Sequence, residues 1–177
     1  MAVLETIRNF FAAGAQSSDE VIVPAPVCEY SIHPLTSDGL TAVLHLNLRC
    51  FRNGDNYTKH TFDYLLTEPR TLSYSVRTDR NEIVAFAFVM VNENGSAHLT
   101  TIGVAPEHRR RGLAVLLLKH IEGALLKRGI GTLLLEVRVG NDAAQTLYRK
   151  NGFHVVQRII KYYNNGEDCF LMMKAVN

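Results

Sequence analysis

The chain opens on apolar residues at helical spacing: Val3, Leu4, Ile7, Phe10 and Phe11 share one face of a helix within residues 2–15. Residues 16–26 are polar and then proline-containing, a linker pattern. The chain therefore divides into an N-terminal helix and linker, 1–26, and a domain, 27–177. Val27 to His33 reads as a strand. Thr36-Ser37-Asp38 supplies a cap, and Leu40, Val43, Leu44 and Leu48 form a helical stripe. A second short helix covers Tyr57 to Leu66 and ends before Pro69. Three strand-like runs follow, Leu72 to Arg77, Ile83 to Val91 and His98 to Val104. Asp79-Arg80-Asn81-Glu82 and Asn92-Glu93-Asn94-Gly95 separate them as turns, which predicts an antiparallel meander. Leu113, Leu116, Leu117, Ile121, Ala124 and Leu125 then mark one face of a helix that Gly129 stops. Thr132 to Val139 is a buried strand, and Asn141 to Asn151 a helix striped by Ala144, Leu147 and Tyr148. Phe153 to Tyr163 and Cys169 to Val176 form a last hairpin around Asn164-Asn165-Gly166. This order predicts an α+β domain with a mixed, mostly antiparallel sheet of about seven strands and helices on both faces.

Composition changes this picture little. At 177 residues the chain can bury a core without staples, and 47% hydrophobic with 20% charged residues is ordinary for a globular protein. A net charge of +2 gives no reason to expect a nucleic-acid partner; the basic density is local, at Arg109 to Arg111. Cys28, Cys50 and Cys169 form no CxxC pair, which favours a reducing compartment over a disulfide framework. No apolar run reaches the roughly 20 residues of a membrane span. Glu5 sits where a signal peptide would be positive. The expected location is the cytoplasm, with no membrane partner. The apolar face of the first helix is a candidate contact with the domain or with a second copy of the chain, a homodimer. A membrane-surface or targeting role is the alternative for that helix.

The chemistry concentrates at Ile102-Gly103-Val104-Ala105-Pro106-Glu107-His108-Arg109-Arg110-Arg111-Gly112-Leu113-Ala114. A strand feeding a glycine-containing loop at a helix start holds phosphate well: backbone N–H groups are unused, the dipole is positive there, and Gly112 admits a close approach. Arginine adds planar, permanently charged donors. A solvated turn with Gly112 easing the bend is the plain alternative. Glu136 stands in Leu133-Leu134-Leu135-Glu136-Val137-Arg138-Val139, where a carboxylate is costly to bury unpaired. It is either an ion-pair partner of Arg138 or another base, or a general base. Tyr148, at helical spacing with Ala144 and Leu147, reads as a core tyrosine, and Asn141 as a helix N-cap. The seven histidines, His98 and His120 among them, show no metal-ligand spacing, so no metal is expected. No histidine adjoins a cysteine in sequence to activate it as an acyl carrier.

Arg109-x-x-Gly112-x-Ala114 resembles the acyl-CoA loop of the GNAT superfamily of acetyl-CoA-dependent N-acetyltransferases. Leu135-Glu136-Val137-Arg138, Asn141 with Ala144, Leu147-Tyr148, Gly152-Phe153, Tyr162-Tyr163 and Glu167-Asp168 follow in the order and spacing of RimI-type and related protein N-terminal acetyltransferases. The resemblance runs from about Ile83 to Val176. It implies acetyl-CoA as acyl donor, with pantetheine contacts from Ile102, Gly103 and Val104. Pyrophosphate binding would fall to the main chain of Arg109, Arg110, Arg111, Gly112, Leu113 and Ala114. It further implies Glu136 as base, Tyr148 as the acid that protonates the CoA thiolate, Asn141 as a CoA contact, and Tyr162 and Tyr163 as walls of a peptide groove. The implied acceptor is the α-amine of a protein or peptide N-terminus, a ribosomal protein among them. A small-molecule or lysine acetyltransferase, or a non-catalytic acyl-CoA-binding module, is the alternative on the same scaffold. The stretch Cys50 to Tyr57 departs from the aromatic-Pro-Trp element frequent in RimI-type sequences, and the chain has no tryptophan. The extension before Val27 is also additional.

Overall fold

A computed structural model describes residues 22–51 and 56–177. The expected helix at 2–15 and most of the linker lie outside the described residues, as does 52–55. The elements run β1 (Tyr30–Pro34), α1 (Leu40–Cys50), α2 (Lys59–Thr67), β2 (Thr71–Thr78), β3 (Ile83–Val91), β4 (Ser96–Val104), α3 (Leu113–Leu126), β5 (Thr132–Arg138), α4 (Asp142–Lys150), β6 (His154–Ile159) and β7 (Cys169–Ala175). They make one seven-stranded sheet in the order β1-β2-β3-β4-β5-β7-β6. Every neighbouring pair is antiparallel except β4 and β5.

β3 shows why its sequence lacks alternation. Val84 to Val89 are all buried, because helices cover both faces of the sheet at this strand. Phe86 and Phe88 turn to one face, where the Phe62 ring of α2 meets them at centroid distances of 5.9 and 5.2 Å. Ala87 turns to the other, beside its register partner Tyr74, whose ring contacts His120 of α3 at 4.5 Å. Small residues on one face and phenylalanines on the other let one strand serve two helical layers.

Several expected boundaries move, three of them at elements near the cleft or the arginine loop. β1 starts at Tyr30 rather than Val27, which is 97% exposed. α2 starts at Lys59 because Thr58 caps it, accepting from the Thr61 N–H at 3.2 Å. Tyr57 is thereby left outside the helix, buried, with its hydroxyl donating to the Thr100 carbonyl at 3.0 Å. The strand expected to run to Tyr163 stops at Ile159. Asp168 ends it: its carboxylate pairs with Arg158 at 2.6 Å and accepts from the Lys161 N–H at 2.8 Å. Tyr162 and Tyr163 therefore stand in the β6–β7 connection and not in a strand.

The feature that positions the site is the short ladder between β4 and β5. Only Ser96↔Thr132, Ala97↔Leu133 and His98↔Leu134 pair, although both strands continue well beyond. On its other flank β4 stays paired with β3 to Val104. There Phe88 opposes Thr101 and Val89 opposes Leu99, so Thr100 is an extra residue, a β-bulge. A bulge bends and twists its strand. It falls where β4 leaves β5, and the sheet splits open from that point.

Candidate active site

The cleft between the diverging strands is lined by Thr100, Thr101 and Ile102 of β4 and by Leu135 to Arg138 of β5. Phe51, Tyr57, Tyr148, Tyr162 and Tyr163 also face it. The split leaves one flank of β4 without a strand. Main-chain groups that would continue the ladder from about Ile102 to Val104 are thus available to a ligand.

β4 leads through a 3-10 turn, Pro106–His108, into the arginine loop. Gly112 is the N-cap of α3 with φ 78°, the left-handed region that favours glycine. No atom lies within 4 Å of where a Cβ would sit on it, so the glycine serves conformation and approach rather than packing. No side chain caps α3, and its first-turn N–H groups remain for an anion. Arg110 also has positive φ, 62°, a strained position for a residue with a Cβ. Two of the three guanidinium groups turn back onto the protein. Arg109 donates to the Val104 carbonyl at 3.2 Å. Arg111 donates to the Pro26 carbonyl and the Tyr30 hydroxyl, both at 2.8 Å, and to the Ala25 carbonyl. Ala25 in turn donates its N–H to Glu107 at 3.0 Å. Two of the arginines thus brace the loop from inside, and Arg111 ties it to the segment before β1.

Glu136 points to the face shared with His98, since their strands pair in phase through Leu134. Its Oε2 lies 2.5 Å from His98 Nε2, with the two side chains only 6% and 4% exposed. A carboxylate only accepts, so the imidazole donates from Nε2. Glu136 Oε1 and His98 Nδ1 are both buried with no partner among the described residues. The expected alternative, a Glu136–Arg138 pair, does not form. Arg138 instead binds Glu167 at 2.6 Å and sits over the Tyr163 ring at 3.7 Å. Glu167 also accepts from the Gly140 N–H at 2.9 Å, which fastens the β6–β7 connection to the end of β5.

Across the cleft Tyr148 of α4 is buried and packs edge-on to Phe153 at 5.6 Å. Burial raises its phenol well above the usual tyrosine value, so it stays protonated and able to donate. Asn141 caps α4, accepting from the Ala144 N–H at 3.1 Å, and lines the cleft as well. Tyr162 and Tyr163 pack together at 5.1 Å, both buried and both on the cleft. The thiols are poor nucleophiles here: burial pushes Cys50 up to about 11 and Cys169 up to about 12. Among the described residues no group of three metal-ligating side chains occurs.

His98, a histidine expected either near the site or as an ordinary satisfied one, is brought against Glu136, whereas His120 packs on Tyr74. Tyr57 and Thr100 line the cleft without any local signal in the sequence to mark them.

The model of the acetyltransferase (GNAT) family matches residues 40–153. The chain is 34% identical over 150 residues to the [ribosomal protein bS18]-alanine N-acetyltransferase of Escherichia coli K12, covering 83% of this chain and 98% of that protein. It is 31% identical over 148 residues to the N-terminal acetyltransferase complex ARD1 subunit homolog of Dictyostelium discoideum, covering 81% of this chain and 71% of that one. The crystal structure of the ribosomal-protein-S18-alanine N-acetyltransferase from Escherichia coli superposes with a TM-score of 0.77 at 32% identity, over 84% of this chain and 95% of that one.

Proposed function

This chain belongs to the acetyltransferase (GNAT) family, and from that premise we propose that it acetylates the N-terminal α-amine of a protein, with Glu136 and Tyr148 as its catalytic pair. It is an acetyl-CoA-dependent N-acetyltransferase. The acceptor reading rests above all on the charge of the cleft. Among the described residues Glu136 is the sole carboxylate lining it, and the rest of that wall is aromatic or neutral apart from Arg138, which Glu167 neutralises. One carboxylate accommodates one ammonium group. A polyamine would bring further charges with no partners, whereas a peptide N-terminus brings a single amine and a neutral chain. The α-amine also loses its proton near pH 7.7–8.0, against about 10.4 for lysine, so a modest base suffices. The Escherichia coli relative is a [ribosomal protein bS18]-alanine N-acetyltransferase, which makes ribosomal proteins the first acceptors to try and the cytoplasm the expected place.

Acetyl-CoA supplies the acetyl group as a thioester. The residues present fit it: uncapped N–H groups at α3, an open approach at Gly112 and a stretch of β4 without a strand neighbour. In the reading proposed, the first turn of α3 and the loop 109–114 hold the pyrophosphate, the segment 102–104 holds the pantetheine arm, and Asn141 adds a contact beside its cap. Glu136 takes one proton from the ammonium group, freeing the nitrogen lone pair to attack the carbonyl carbon. Main-chain N–H groups of β4 hold the charge that develops on the carbonyl oxygen. As the C–S bond breaks, Tyr148 gives its phenolic proton to sulfur, and the second N–H proton of the new amide returns to the phenolate. The products are the acetamide, free thiol and one proton, which Glu136 releases to solvent.

Thiol release against a panel of peptides beginning with Ala or Ser, beside spermidine, free lysine and amino sugars, tests the acceptor. Turnover with the peptides and little with small amines is expected. The opposite preference would move the protein to small-molecule acetylation, and no release with any amine would make it a binding module.

A further inference from the structure

We infer that His98 is a positioning residue for the reaction: it holds Glu136 by one carboxylate oxygen so that the other alone meets the incoming ammonium group. The inference rests on Glu136 being the base. The pair is 2.5 Å long, both side chains are nearly sealed from solvent, and the donor comes from the strand opposite the cleft. Its placement depends on the sheet. His98 is the last β4 residue paired with β5, and Glu136 lies two residues beyond its partner Leu134. The bond therefore spans the point where the strands part.

Two consequences follow from this position. A glutamate side chain has three rotatable bonds, and a base left free in a cleft would sample several rotamers. One fixed oxygen removes that freedom before substrate arrives, which keeps the entropy of alignment out of the barrier. Second, the orphaned Oε1 is defined by contrast. With Oε2 occupied, Oε1 is the remaining oxygen of the carboxylate that lines the cleft, buried with no partner among the described residues, and a buried unpartnered acceptor favours a donor such as an ammonium N–H. His98 does not line the cleft, so it acts through Glu136 and not on the substrate.

The test measures steady-state kinetics and acetyl-CoA affinity for His98→Leu, His98→Gln, Glu136→Gln and the double variant His98→Leu/Glu136→Gln, with thermal midpoints alongside. Leucine fills the space without a donor, while the glutamine amide reaches the position of Nε2 and donates. His98→Leu is expected to lose kcat on the order of tenfold or more with the KM for acetyl-CoA unchanged, and His98→Gln to recover most of it. In the double variant the leucine adds no further loss, because a residue acting only through Glu136 has nothing left to position. Full kcat in His98→Leu while Glu136→Gln is inactive overturns the inference and leaves the base in place. An active Glu136→Gln overturns the base reading itself. Equal loss in His98→Leu and His98→Gln with lowered midpoints makes His98 a packing residue and likewise overturns the inference.

Discussion

The arginine loop at one end of the cleft and the Glu136 wall at its centre are held by different means. The loop's backbone is local. It comes from consecutive residues, the turn Pro106–His108, positive φ at Arg110 and Gly112, and the start of α3, and Arg111 then ties the finished loop to the segment before β1. The wall is assembled from afar. His98 reaches Glu136 across 38 positions, Glu167 reaches Arg138 across 29, and Tyr57 reaches Thr100 across 43. The loop needs main-chain geometry, and the wall needs side chains whose partners arrive only when the sheet closes. In the proposed mechanism, donor binding and chemistry therefore respond to different mutations.

Three measurements press on that division. The largest effect belongs to the wall: Glu136→Gln lowers kcat by about 10²–10⁴-fold, the usual share of a positioned base, and Tyr148→Phe lowers it less. Both leave acetyl-CoA affinity intact in a titration of the free enzyme. A weakened acetyl-CoA affinity in either variant would erase the distinction between the two regions. Next, Gly112→Ala puts a side chain at φ 78° where space is open, so its penalty is conformational, about 1–2 kcal/mol. The KM for acetyl-CoA should rise about 5–30-fold while kcat at saturation holds. The smallest effect is one of pH. His108 carries the turn below the loop and bonds Tyr30 through Nδ1 at 2.9 Å, and burial lowers its pKa. A histidine lowered on folding stabilises the native state above its unfolded value near 6.5, and that contribution is lost as pH falls through the lower, folded value. The thermal midpoint of the wild type should fall more between pH 7.5 and 5 than that of His108→Gln.

The same division explains what the chain disclosed before folding. The arginine loop was legible because its residues are contiguous, β3 and β5 because each is an apolar run between turn signals, and α4 because its stripe and cap lie within the element. Glu136 and Tyr148 stood out as a carboxylate in a buried strand and a tyrosine on a short amphipathic helix. The partner of Glu136 did not, since an isolated histidine in a strand carries no sign of what lies on the neighbouring strand. The inward turn of Arg111 was equally hidden, because its acceptors at Ala25, Pro26 and Tyr30 lie more than eighty residues away. Tyr162 and Tyr163 looked like strand residues until Asp168 folded the chain back on Arg158 and Lys161.

The unmatched Thr100 has a genetic consequence. The residues on either side of it, Leu99 and Thr101, face Val89 and Phe88, which are adjacent on β3. Losing this single codon would leave the alternation of β4 against β3 undisturbed, and with it the buried phenylalanine layer. What it would remove is the kink that parts β4 from β5. A one-residue deletion could thus yield a well-folded protein with no room for either substrate, and an insertion of the same size in an uninterrupted sheet is a short step toward such a cleft.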